Sequence, residues 1–352
     1  MKTNEPFLIA ETAFHHEGDI QFLKKLIDAA VESGANAIKF HLLFDLDDYF
    51  IADHKAYDSL KSILITEEGW NEILDYCGQK CIDIIFLCND VKAIKWVNSK
   101  VNPSIIAIEI HATGINDILL LDEAAKFDET VILYIGTSTL DEIKYAIDFL
   151  RRCAKTDIFL MHGFQSYPTS YKDVFLARMD ALSTLFNLPI GYADHTDPSD
   201  PNNALISILG VANGYNILEK HFTLLPLEKK IDSQAAVSIN TLKHIKALML
   251  IAHDVRGQAV RLNMSDAETR AGNTGPMKKA IVAAKEIEAG KQLELSDIAF
   301  KRTNVSSSIK QKQLPELLGL RTKTAIKKDE LIEFSKVEYL YVESDFSQFK
   351  PK

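Results

Sequence analysis

At 352 residues, with 47% hydrophobic and 25% charged content, the chain has room for one large globular domain and a smaller module. A net charge of −9 disfavours general nucleic-acid binding, though a local basic pocket for an anionic substrate stays possible. No apolar run approaches the roughly 20 residues of a membrane-spanning helix, so no membrane partner is expected.

In chain order, Phe7-Leu-Ile-Ala-Glu11 is a short apolar run ending on a carboxylate, followed by a polar loop to Gly18. That run starts too early to leave space for a signal peptide. Asp19 is placed to cap a helix in which Phe22, Leu23, Leu26, Ile27 and Ala30 recur at helical spacing, and Gly34 ends it. Ala37-Ile-Lys39-Phe-His41 is the next strand, again finishing on polar groups. Residues 42–65 are long and irregular, with Asp45, Asp47, Asp48 and Asp53, and read as a loop over a functional mouth. Helices predicted over 66–79, 91–98, 115–126, 139–153 and 171–186 then alternate with strands over 83–88, 105–110, 130–134 and 157–161. Cys77, Cys81, Cys88 and Cys153 show neither zinc-pair nor disulfide spacing, and a cytoplasmic location is expected.

Two motifs organise the chain around residues 189–223: Pro189-Ile-Gly-Tyr-Ala-Asp-His-Thr196 and Ile217-Leu-Glu-Lys-His-Phe-Thr223, with a small-residue helix over 201–212 between them. Each runs from an apolar strand into polar residues that include a histidine. In a parallel barrel His195 and His221 both sit at the C-terminal mouth. Neutral imidazoles on adjacent strand ends can share one divalent ion, with substrate or water completing its shell. Two unrelated loop histidines are the alternative; the matched placement favours the metal. Asn240 is placed to cap a last helix over 241–255.

Eight strands alternating with eight helices predict a (β/α)8 TIM barrel over residues 1–258. An open doubly wound sheet would carry a glycine-rich phosphate turn after the first strand, and the loop from Glu11 to Gly18 supplies none. Polar residues 259–276 read as a linker, 277–341 as a small β-rich module, and 342–352 as a frayed tail.

These residues resemble the sialic acid synthase family, and the C-terminal module resembles its antifreeze-like (SAF) domain. The likeness is carried by Ile9-Ala-Glu11 with His16-Glu-Gly18, by Ala37-Ile-Lys39, by Tyr167-Pro-Thr-Ser-Tyr-Lys-Asp-Val174, and by the two histidine motifs. It implies condensation of phosphoenolpyruvate with the open-chain aldehyde of an N-acetylhexosamine or its phosphate. It also implies a divalent ion on His195 and His221, manganese above magnesium or zinc, which polarises the aldehyde oxygen. By the same resemblance Glu11, Tyr167 and Asp232 contact the sugar and Lys39 binds the donor's phosphate. The resemblance also implies that Arg302 reaches the barrel of a partner chain, in a homodimer with swapped SAF modules.

The donor side departs from the family pattern. A second phosphate-binding lysine falls on Glu109 in Glu109-Ile-His-Ala112, and the Ser-Thr-Gly after strand five is Tyr134-Ile-Gly136. An asparagine before the site tyrosine is Gln165, the serine before Asp-His is Ala193, and a Ser-Thr-Pro is Leu87-Cys-Asn89. The family's Asn-His is His15-His16, and a glutamine two residues past its first lysine is His41. Reversing one charge beside a dianion swings the interaction by several kcal/mol even at an effective dielectric of about 20. Phosphoenolpyruvate is therefore expected to bind weakly, unless protonated His41 and His111 rebuild a cationic pocket around Lys39. The leading expectation is a divergent carbon–carbon bond-forming transferase that makes a nonulosonate-type keto-sugar acid for surface polysaccharide. A metal-dependent aldolase or lyase with an unphosphorylated donor is the second reading, and a non-catalytic sugar-binding homologue the third.

Overall fold

Eight strands form the frame: β1 (Phe7–Glu11), β2 (Ala37–Leu42), β3 (Asp83–Cys88), β4 (Ile105–Ile110), β5 (Thr130–Tyr134), β6 (Ile158–His162), β7 (Ile190–Asp194) and β8 (Ile217–Thr223). They pair in sequence order, all parallel, and β1 closes the sheet on β8. A main helix follows each: α1 (Ile20–Glu32), α2 (Glu67–Lys80), α3 (Val91–Asn98), α4 (Ile118–Ala124), α5 (Leu140–Arg152), α6 (Ala177–Phe186), α7 (Asn203–Ala212) and α8 (Ile239–Arg256). This is the TIM barrel that the alternation predicts. The computed structural model describes residues 4–164, 168–226, 228–257, 262–338 and 345–346, in two units, Met1–Gln258 and Ala259–Lys352. Gln165, Tyr167 and most of the 342–352 tail lie outside the described residues.

Because both faces of a closed parallel sheet are covered, its strands read as nearly continuous apolar runs. Successive residues still point to opposite faces. Ile9, Ala37, Ile85, Ala107, Ile132, Phe159 and Ile217 fill the barrel interior. Leu8, Ile38, Phe86, Ile108, Leu133, Leu160 and Leu218 belong to the larger core between strands and helices. The inward set stays apolar until the C-terminal strand ends, where it turns polar.

Helix boundaries follow local chemistry. Asp19 caps α1 by accepting the Phe22 amide at 3.0 Å, and Gly34 takes the left-handed turn after it (φ +77°). The helix predicted over 115–126 shortens to α4, because Asp117 accepts the Leu119 and Leu120 amides and starts the helix there. The one predicted over 171–186 is two helices, Tyr171–Val174 and α6, separated by Phe175 at φ +46°. The cap of α8 is Ser238, not Asn240: its Oγ accepts the Thr241 amide at 3.2 Å, directly after a two-residue strand β9 (Val237–Ser238) paired to β8. Residues 42–65 contain two short helices, Leu46–Tyr49 and Tyr57–Lys61. Within 259–276, expected as a plain linker, a Ser265–Glu268 capping box starts the helix Asp266–Ala271. The C-terminal unit pairs β10 (Ala280–Ala283) antiparallel to β11 (Ile298–Lys301) over a small core of Ile281, Leu293, Ile326 and Ile332.

Candidate active site at the barrel mouth

Strand alternation carries Glu11 from β1, Lys39 and His41 from β2, Glu109 from β4, Tyr134 from β5, and Glu219 and His221 from β8 into the layer above the apolar interior, with His195 just past β7. These side chains line one cavity of about 20 Å³, together with Leu87 and His111. That is space for about one water molecule or ion. A second cavity of about 220 Å³ adjoins over the ends of β3 and β4, sharing His111, with Asp48, Tyr49, Asn89 and Asp117 in its wall and no lysine or arginine among the described lining residues.

Lys39 is the centre of the polar layer. Its Nζ donates to Glu109 Oε1 at 2.9 Å and Glu219 Oε2 at 2.7 Å. It also lies 2.9 Å from Glu11 Oε2, an ion pair without hydrogen-bond alignment. All four side chains are buried. Burial works against the ammonium, and the charges of Glu109 and Glu219 outweigh it, so its pKa is raised. Burial pushes the Glu109 carboxyl up to about 7; Lys39 opposes the shift and Glu219 adds to it. Glu109 Oε2 has no hydrogen-bond partner among the described residues. Glu11 Oε1 accepts the Ala13 amide at 2.9 Å. Three carboxyl groups around one ammonium, with Glu109 part-protonated near pH 7, still leave a buried excess of negative charge.

His41 Nε2 is 3.5 Å from Glu11 Oε1. Burial first, then the charge of Lys39, holds this imidazole well below its usual range, so it is neutral near pH 7 and adds no positive charge to the pocket.

The ligand atoms of His195, Glu219 and His221 all lie within 4.8 Å of one another, and the two imidazole centroids are 5.0 Å apart. Donors roughly 2.1 Å from a shared ion stand about 3–4 Å from each other, so small side-chain shifts suffice. Burial lowers His195 to about 3 and His221 well below its usual value, leaving both in the neutral, metal-ligating form. A divalent ion would also offset the excess charge around Lys39. The set therefore fits a metal on two nitrogens and one carboxylate oxygen. Glu219 is the member that sequence reasoning missed, although it lies two residues before His221 on a strand and so shares its face.

Tyr134 is fully buried, stacked on His111 at 5.2 Å between centroids and edge-on to His195 at 6.3 Å. The slot for its ring exists because its neighbours are small. A Cβ on Gly163 would come within 2.6 Å of the Tyr134 hydroxyl and 3.0 Å of Ala193 Cβ, and one on Gly136 within 2.5 Å of ring carbon Cε1.

Asp232 follows β8 in a left-handed conformation (φ +61°), its carboxyl pKa raised by burial, and it does not line the small cavity. Arg302 lies in the C-terminal unit, exposed, with Nε donating to the Pro276 carbonyl at 2.7 Å. Gln165 and Tyr167 cannot be placed in the site, since they fall outside the described residues.

His15 and His16 lie buried in the loop after β1, and burial lowers each to about 4. His15 Nδ1 sits 3.1 Å from the Phe222 carbonyl, which fixes it as the protonated nitrogen. The unfolded chain binds protons at these sites below about pH 6.5 and the folded chain only near pH 4, so their stabilisation is present above 6.5 and lost on acidification. Each histidine accounts for up to about 3 kcal/mol of that loss. Urea unfolding at pH 7 and pH 4.5 should show a smaller acid loss for the His15→Asn, His16→Asn double variant than for wild type. Equal losses would contradict the assignment.

A family model described as the NeuB family matches residues 26–261, and one for the SAF domain matches residues 278–338. An N,N'-diacetyllegionaminic acid synthase of Campylobacter jejuni is 28% identical over 92% of this chain and 98% of its own length. An N-acetylneuraminate-9-phosphate synthase of Drosophila melanogaster is 26% identical over 93% of this chain and 94% of its own. Among solved structures, the sialic acid synthetase of Leptospira borgpetersenii superposes with a TM-score of 0.69 at 26% identity, covering 76% of this chain and 90% of that one. A barrel of eight parallel strands, two histidines on successive strand ends and these matches agree: the chain belongs to the NeuB family and carries a SAF domain at its C-terminal end.

Proposed function

We propose that the chain is a sugar-acid synthase that forms a carbon–carbon bond between an amino-sugar aldehyde and a three-carbon donor, for surface carbohydrate, with a donor less charged than phosphoenolpyruvate. The support for the reaction class is the named synthases it resembles along most of its length. The observation that carries the altered donor is the enclosure of Lys39 by Glu11, Glu109 and Glu219. An ammonium already shared among three carboxyl groups, with Glu109 part-ionised near pH 7, has little net charge to offer a phosphate dianion. Tyr134 lines the same small cavity as Lys39 and takes up volume there, and no lysine or arginine is among the described residues that line the adjoining cavity.

In this reading His195, Glu219 and His221 hold a divalent ion, manganese first. When bound, that ion supplies Lewis acidity to the aldehyde oxygen. Glu11 orients the sugar through its hydroxyls, and Asp232 does the same from the loop after β8. Arg302 serves the barrel of a partner chain in a homodimer of cytoplasmic protein. With pyruvate as donor, its methyl carbon loses a proton and adds to the aldehyde carbon, the aldehyde oxygen takes up a proton, and no phosphate leaves. Incubation with manganese, a panel of N-acetylhexosamines and either pyruvate or phosphoenolpyruvate separates the two donors. The proposal expects keto-acid product with pyruvate and no phosphate release; product only with phosphoenolpyruvate returns the ordinary synthase reaction.

The metal and the dimer each have a test of their own. The His195→Ala, His221→Ala double variant should lose manganese affinity by at least about a hundredfold, since two of three ligands go; unchanged affinity in a folded protein ends the metal reading. Mixing an Arg302→Ala chain with a His221→Ala chain should restore one intact site per heterodimer. Absence of complementation, or a monomer by sedimentation, counts against the swapped arrangement.

A further inference from the structure

Each candidate metal histidine is preceded by one half of a buried ion pair. Asp194 and Lys220 are direct partners in the ladder between β7 and β8, and His195 and His221 are the next residues in sequence. Lys220 Nζ donates to Asp194 Oδ2 at 2.6 Å, and both side chains are completely buried. Since neighbouring residues on a strand face opposite ways, the pair sits on the outside of the barrel and the histidines on the inside.

The same carboxylate is tied on every side. Ser207 Oγ, from α7, donates to Oδ2 at 2.5 Å, and the Tyr192 hydroxyl donates to Oδ1 at 3.1 Å. The Thr196 amide also donates to Oδ1 at 2.9 Å, so Asp194 spans the backbone of His195. Asn203 Nδ2 then holds the Thr196 carbonyl at 3.2 Å and its hydroxyl at 3.0 Å. A buried ion pair is weak evidence for stability, because an apolar replacement of similar volume often costs nothing; fixing registry is its best-attested use.

We propose that the Asp194–Lys220 pair, with Ser207, is a positioning device that fixes the spacing of His195 and His221 and thereby sets metal affinity, without touching metal or substrate. The inference rests on the metal reading above. Supporting groups behind metal ligands typically change affinity by about 10–100-fold when removed.

The test compares wild type, Lys220→Arg, and the uncharged double variant Asp194→Asn, Lys220→Met, which keeps an acceptor for the Thr196 amide and leaves no lone buried charge. Manganese affinity is measured by titration, cobalt(II) visible absorption reports ligand geometry, and Tm of the metal-free protein reports the fold. The expected result is affinity weakened at least about tenfold in the double variant, an altered cobalt spectrum, a Tm near wild type, and near-normal binding in Lys220→Arg. Unchanged affinity and spectrum in a folded double variant overturn the proposal. If the double variant does not fold, Ser207→Ala is read instead: weaker manganese binding at unchanged Tm supports the device, and unaltered binding overturns it. Wild-type protein that binds no divalent ion overturns the metal reading itself, and this inference with it.

Discussion

Lys39→Met should destabilise the metal-free protein by about 3–5 kcal/mol, the size typical of removing one partner from a buried charge cluster. The substitution keeps the volume and takes away the ammonium that Glu11, Glu109 and Glu219 share. Three carboxylates then remain in a buried layer, and they must repel one another or take up protons. A compensating change separates charge from packing. Lys39→Met combined with Glu109→Gln removes one of the three negative charges, and should regain part of the loss. Denaturant unfolding in the presence of a chelator measures both, with an unchanged slope showing that only stability moved. A cost below about 1 kcal/mol would place the cluster among ordinary surface ion pairs and contradict its burial.

The second large effect concerns the donor. In wild type one ammonium faces three carboxyl groups, Glu109 among them; in Glu109→Lys two ammonium groups would face two. Glu109 is the position to change because its carboxyl accepts directly from Lys39. A charge-assisted contact to phosphate is worth roughly 1.5–3 kcal/mol, and about 1.4 kcal/mol is tenfold in affinity. Glu109→Lys should therefore gain at least about tenfold in phosphoenolpyruvate affinity. Adding Tyr134→Ser, which empties the slot made by Gly136, Gly163 and Ala193, should raise it further. No gain in either folded variant would remove the charge argument.

The barrel, and the placement of both histidines at its mouth, were legible because they rest on local pattern: β/α alternation and matched strand-end motifs. Glu219 was legible in principle, two residues before His221 on the same face. The charge cage was not. Lys39 meets Glu109 across 70 residues and Glu219 across 180, contacts that exist only because β1 closes on β8 and the strands register as they do. The cap of α8 was missed for a similar reason: Ser238 and Asn240 are both good caps, and the pairing of β9 with β8 decides between them. Phe175 breaks its helix with no glycine or proline to announce it.

The altered donor site is the central claim, and calorimetry of wild-type protein with phosphoenolpyruvate in the presence of manganese tests it most directly. With Lys39 enclosed by three carboxylates, His41 neutral and Tyr134 in its slot, no binding heat should be detected. A micromolar dissociation constant would contradict that account and restore the ordinary synthase assignment.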